Sequence, residues 1–152
     1  MIDSHCHLAD TAFSEDLDSV IARARAAGVT EALCILSAID EEESARAREV
    51  LRLWPTVVFA VGVHPHTAGK LTEKSKNVEA FVRRAISETE ISLHSVSSGK
   101  TSRVRAIGEI GLDYHYNFCD PKIQKKIYYE QLEMANSFHI PTVVHCRDSD
   151  DD

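Results

Sequence analysis

The stretch Val57-Val-Phe-Ala-Val-Gly-Val63 is a nearly unbroken apolar run of the length of one strand, and His64-Pro65-His66 follows it at once. A run without alternating polar positions fits a strand covered on both faces, as in a parallel sheet. Similar runs lie on either side. Met1 to His7, Ala32 to Leu36, Val104 to Glu109 and Thr142 to His145 are the other strand candidates. Helical patterns separate them. Leu17, Val20, Ile21 and Ala24 share a face, and Gly28 stops that helix. Asp40-Glu41-Glu42-Glu43 reads as a capping box ahead of the stripe Ala47, Val50, Leu51 and Trp54. Thr72 is the expected cap of a third helix with the stripe Val78, Phe81, Val82, Ala85 and Ile86. Residues 87–103 are polar and Ser-rich and read as a surface insertion. Asp120-Pro121 opens the last helix, which continues through Ile127, Gln131, Leu132 and Ala135. Strand and helix alternate throughout, which predicts an α/β fold with a parallel sheet and right-handed crossovers, in one domain over residues 1–152.

Composition narrows the function. Apolar residues make up 43% and charged residues 27% of the 152, ordinary values for a globular chain. No stretch reaches the ~20 apolar residues of a membrane span, and no signal peptide is read at Met1-Ile2-Asp3, so a cytoplasmic protein without a membrane is expected. No stable protein partner is indicated. Lys and Arg number 17 against 24 Asp and Glu, a net charge of −7, which disfavours a protein that coats nucleic acid. It leaves room for a nuclease, because bound divalent cations supply local positive charge. The four cysteines form no C-x-x-C pair and read as small buried residues. The terminal Asp148-Ser-Asp-Asp-Asp152 lacks the spaced ligands and glycine of a calcium loop and reads as a solvated tail.

The histidines carry the chemistry. In Asp3-Ser4-His5-Cys6-His7 the strand pleat points His5 and His7 the same way, with Asp3 on that side as a candidate supporting partner. One H-x-H pair is weak by itself. Its weight comes from position: His64 and His66, Glu109 with Asp113 behind it, and His145 with Arg147 each stand at the carboxyl end of an apolar run. In parallel α/β folds that is the rim where active sites assemble. Strand two, ending near Ser37, brings nothing comparable, and Glu41–Glu43 is a helix start. Asp113 reads as a loop-fixing residue, and His94, His115 and His139 as surface or loop residues. Mixed imidazole and carboxylate donors suit Mg, Mn or Zn. Glu109, set between Gly108 and Gly111, is the natural carboxylate to bridge two such cations.

DSHCHL at 3–8, GVHPH at 62–66, GEIGLDYH at 108–115 and VVHCRD at 143–148 together resemble the TatD family of metal-dependent deoxyribonucleases, over the whole chain. Gln124, Tyr128 and Gln131 resemble that family's helix after its GLDY motif. The resemblance implies a TIM-like (β/α) barrel, two divalent cations and hydrolysis of phosphodiesters in DNA or a related substrate, often as an exonuclease. By motif match His5 and His7 would hold one cation, Glu109 both as the catalytic bridge, and His145 the second. His64 and His66 match a motif lining the site and would bind substrate, and Arg147 would approach a substrate phosphate. A barrel of this kind runs to roughly 250 residues and eight strands. Five strand candidates are present, so a partial barrel is expected, without the family's later His and Asp. The alternatives are a non-catalytic, metal-binding remnant and a related hydrolase with another substrate. A half-barrel also leaves the first and fifth strands without a neighbour.

Overall fold

A computed structural model describes residues 1–74, 77–94 and 102–152. The sheet has five strands in the order of the sequence: β1 (Ile2–Cys6), β2 (Glu31–Ser37), β3 (Val58–Gly62), β4 (Val104–Asp113) and β5 (Thr142–Arg147). All neighbours are parallel. Between them run α1 (Leu17–Ala26), α2 (Glu41–Leu53), α3 (Ala68–Lys74), α4 (Val78–His94) and α5 (Pro121–Phe138). The strands curl into half of a barrel with helices outside, as the family resemblance implies.

Burial follows position in the sheet. Phe59, Ala60 and Val61 of β3 are fully buried, because β2 and β4 flank them and helices cover the outer face. The outer core joins Phe59, Val61, Ile107 and Ile110 of the sheet to Val50, Leu71, Val82, Ile127 and Met134 of the helices. On the concave side Ile35, Ala60 and Ala106 form a second, smaller cluster. The edge strands are more open: Ile2 is 65% and Val144 49% exposed. Both edges carry unpaired backbone groups, as expected of strands one and five.

α5 shows how a helix can hold strand ends in place. Gln124, Ile127, Gln131, Met134 and Ala135 lie on one face at helical spacing, and all are buried. Gln131 accepts the Val63 N–H at 2.7 Å and donates to the Val63 carbonyl at 3.1 Å. Gln124 accepts the Asp113 N–H at 2.8 Å and donates to the Asp113 carbonyl at 2.9 Å. The two amides complete the hydrogen bonding where β3 and β4 run out of neighbours, so one rigid helix fixes both strand ends.

Four local expectations are corrected. Position 72 falls inside α3 and not ahead of a helix, because the chain turns helical earlier, from Pro65. Asn77 supplies the cap for the Val78 stripe, accepting the Ala80 N–H at 2.9 Å. Residues 87–94 are helical, because buried Thr89 extends the stripe of Val82 and Ala85 by one more turn; residues 95–101 of the expected insertion lie outside the described residues. The capping box at Asp40 is half formed: Asp40 accepts the Glu43 N–H at 2.9 Å, but the Glu43 carboxylate accepts from Ser37 N–H at 2.6 Å instead. Burial pushes the Glu43 carboxyl up, and the Ser37 bond partly offsets it. Cys34 and Cys119 are buried as expected, whereas Cys146 is exposed on the edge strand β5.

Candidate metal centre

Residues of β1, β4 and β5 and those just after β1 and β3 converge on one rim; β4 runs on to Asp113, so Glu109 lies in mid-strand and not at the strand end expected of it. Glu109 stands at the centre. Its Oε2 lies 3.2 Å from His5 Nε2, and its Oε1 lies 2.9 Å from His145 Nδ1. His5 Nε2 and His7 Nε2 are 3.2 Å apart. Glu109 sits where the β4–β5 register slips between Ile107 and Ile110. Two glycines permit the close strand approach there. A Cβ on Gly108 would strike the Val143 side chain, and one on Gly111, at φ +141°, would strike the His145 backbone.

Hydrogen bonding assigns the ring protons on the β5 side. Asp113 Oδ2 accepts from His145 Nε2 at 2.9 Å and from His66 Nε2 at 2.6 Å, so both Nε2 atoms carry hydrogen. The other ring nitrogen, His145 Nδ1, stands 2.9 Å from Glu109 Oε1. His64 Nδ1 accepts the His66 N–H at 3.2 Å, so neutral His64 carries its proton on Nε2, 3.3 Å from His145 Nδ1 and 4.0 Å from Glu109 Oε1. Burial pushes the His64 pKa down to about 4, with Glu109 opposing and His145 reinforcing the shift, so the ring is neutral near pH 7. His64 therefore offers a donor into the site.

Asp113 does more than the loop-fixing expected of it. Its Oδ1 accepts the N–H groups of His115 and Tyr116, each at 3.0 Å, which is the loop-fixing part. Its other oxygen ties the two histidines. Burial acts to raise its pKa, but the Tyr116 N–H, His66 and His145 bonds outweigh burial and hold the carboxyl well below the usual range.

Three groups have donor atoms close enough to share a cation: His5, His7 and Glu109; His64, Glu109 and His145; and His66, Asp113 and His145. The first set, and the Glu109–His145 pair of the second, fit a cation; His64, with its proton on Nε2, is a hydrogen-bond donor there. His145 Nδ1 and Glu109 Oε1 approach to 2.9 Å, and His5 Nε2 and His7 Nε2 to 3.2 Å, and each pair takes a proton or a metal between its members. In the third, the Nε2 hydrogens on Asp113 satisfy the groups already.

Asp3 is not a partner of either imidazole ring; its Oδ1 accepts the His5 backbone N–H at 3.1 Å. Arg147 lies at the rim with its guanidinium 4.8 Å from the centre of the Tyr116 ring. His115 is a loop residue, as expected, bonded to Asp148 at 2.9 Å, and exposed His139 ends α5. The acidic tail is partly engaged: Asp152 accepts from the Tyr114 hydroxyl at 2.9 Å and pairs with Lys125. Position 94 ends α4. Glu43, read only as a helix start, lines a small cavity of about 110 Å³ with His7, Ser37, His64 and Glu109. Tyr116 and Phe118 were not singled out in the sequence, where one aromatic residue after another in a loop carries no periodic signal.

A parallel half-barrel that gathers imidazoles and carboxylates around one glutamate at its rim has the architecture of a metal-dependent hydrolase. The chain belongs to the TatD-related DNase family, whose model matches residues 2–152. It is 36% identical over 151 residues to a 3′-5′ ssDNA/RNA exonuclease TatD of Cronobacter turicensis, covering 98% of this chain and 50% of that protein. It is 31% identical to the uncharacterized metal-dependent hydrolase YabD of Bacillus subtilis, covering 100% of this chain and 52% of that one. Among solved structures, the TatD homologue YjjV of Escherichia coli superposes with a TM-score of 0.70 at 26% identity, over 99% of this chain and 52% of that one. An uncharacterized amidohydrolase of Saccharomyces cerevisiae gives 0.72 at 25% identity, over 99% and 49%. The chain spans about half the length of the curated relatives it matches. Among the described residues no helix is long and apolar enough to cross a membrane.

Proposed function

We propose that this chain carries the bridging half of a two-cation phosphodiesterase that trims the ends of nucleic acid strands. One observation carries the reading: the two oxygens of Glu109 face separate imidazole sets, His5 with His7 on one side and His145 on the other. His5, His7 and Glu109 Oε2 would hold one cation, and Glu109 Oε1 with His145 Nδ1 the second; Mg, Mn or Zn suits this donor set. Bound there, the cations supply positive charge against the oxygens of a phosphodiester. The residues of the chain do the rest. Asp113 keeps the Nε2 proton of His145 in place, so its Nδ1 stays free as a donor atom. Neutral His64 presents its Nε2–H to a phosphate oxygen, and Arg147 brings a planar fork of donors to the same rim.

The names of the relatives support a nucleic-acid substrate, and the chemistry fits it. The test is removal of nucleotides from a 3′-labelled single strand by the purified chain. Cleavage is expected with manganese or magnesium, and neither with a chelator nor in Glu109→Ala. A second reading, metal binding without turnover, is favoured by the exposure of His5 and the open edge of β1. A folded chain that binds cations and leaves every phosphodiester intact would establish that reading in place of the first.

A further inference from the structure

Beside the β5 half of the site lies a group of rings that the reading above does not use. Tyr116 and Phe118 stack with centroids 5.2 Å apart at 25°. They are 39% and 63% exposed, a large apolar surface to leave in water next to a polar rim. His66 meets both edge-on, 5.4 Å from Tyr116 and 4.9 Å from Phe118, while its Nε2 bonds Asp113. The pair is therefore one ring away from His145, whose centroid is 5.8 Å from that of His66. The loop is built to hold this position: Asp113 accepts the Tyr116 N–H, and Gln124 clamps the Asp113 backbone. Cations flank the rings. The Arg147 guanidinium lies over Tyr116, and Lys70 joins His66, Thr67, Gly69 and Phe118 around a cleft of about 440 Å³. On a chain of net charge −7, two cations beside exposed aromatic faces mark a local preference for an anionic, aromatic ligand.

We infer that Tyr116 and Phe118 form a stacking platform for the terminal base of a single nucleic acid strand whose phosphate lies at Glu109 and His145. The inference rests on the phosphodiesterase reading and deepens it. Bases inside a duplex have both faces covered, so an exposed aromatic face selects unpaired ends, and it does so without regard to base identity. Arg147 and Lys70 flank the backbone on either side of the platform, and the rings hold the end in register with the site.

Two short single strands test this, one ending in 2-aminopurine and one in an abasic nucleotide, both with phosphorothioate linkages and with manganese present. The full chain is expected to bind the base-bearing end about ten-fold more tightly, roughly the stacking contribution of one base, and to quench its fluorescence. Phe118→Ala is expected to erase that preference while leaving the affinity for the abasic strand unchanged. Phe118→Trp is expected to keep it, which separates loss of stacking from loss of folding. Equal binding of the two strands by the wild-type chain would overturn the platform, as would a preference that survives in both Phe118→Ala and Tyr116→Ala. Manganese-dependent binding of the abasic strand in that case leaves the phosphodiester site standing. Binding of neither strand overturns the phosphodiesterase reading and the platform with it.

Discussion

His5 and His7 stand on and just after the edge strand β1, while His145 stands on the opposite edge strand β5 and His64 and His66 follow the central β3, and the two groups are held in very different ways. The side chain of His5 is 39% exposed, its ring stands beside His7 and Glu109, and Asp3 bonds its backbone. The side chain of His145 is 20% exposed and is fixed from both ends, by Glu109 on Nδ1 and by the buried Asp113 on Nε2. Asp113 is in turn clamped by Gln124, and the chain entering His64 by Gln131. Both outer strands lack a neighbour, so the difference lies in side-chain bonding: Asp113, Gln124 and Gln131 preorganise one half, and the β1 half has only the Asp3 bond to the His5 backbone among the described residues. Cation affinity should differ accordingly, because a site held in shape before binding loses less freedom when it binds.

The largest effect should come from removing the residue the two halves share. Glu109→Ala is expected to lower metal-dependent cleavage by more than about 100-fold, beyond the usual loss on removing an outer partner of a ligand. Single-turnover assays at saturating manganese check it. Asp113→Asn should break the symmetry between the halves. It is expected to weaken the tighter cation about 10- to 100-fold and leave the weaker one unchanged, as read by calorimetric titration. Equal weakening of both would contradict the difference in how they are held.

Acid should also separate the regions. The folded pKa of His64 is about 4, below the 6.5 of an unperturbed imidazole. The unfolded chain therefore takes up this proton first. The contribution to stability is whole above pH 6.5 and lost as pH falls toward 4. Urea denaturation of the metal-free chain between pH 7.5 and 4 should show that loss, and His64→Gln should flatten it. Next comes the clamp: Gln131→Ala leaves the buried Val63 N–H and carbonyl unpaired and is expected to cost about 1–3 kcal/mol in the same denaturation assay. Asp3→Ala should have the smallest effect, within about 0.5 kcal/mol, because its one bond is exposed.

The legible part of this molecule is the part that repeats. Apolar runs such as Val57–Val63 announced strands, and polar residues after them announced the rim, because both follow from periodicity and from the shared direction of parallel strands. His5, His7, Glu109 and His145 could be brought together on that ground alone. Asp113 was visible as a loop-fixing carboxylate, but its second oxygen on His66 and His145 depends on the register between β4 and β5, which no local pattern carries. Gln124 and Gln131 matched a family helix, yet their work on the ends of β4 and β3 appears only once α5 packs across those ends. Thr89 looked like part of a polar loop, because a single threonine on a buried helical stripe is outweighed by the Ser and Glu around it.

Glu109 is proposed to join two cations through separate oxygens. Electron paramagnetic resonance of the chain loaded with two equivalents of manganese addresses it most directly. A spin-coupled pair is expected in the wild-type chain, and only isolated, uncoupled manganese in Glu109→Ala. A spectrum of isolated ions in both, or a coupled pair that survives the substitution, would contradict it.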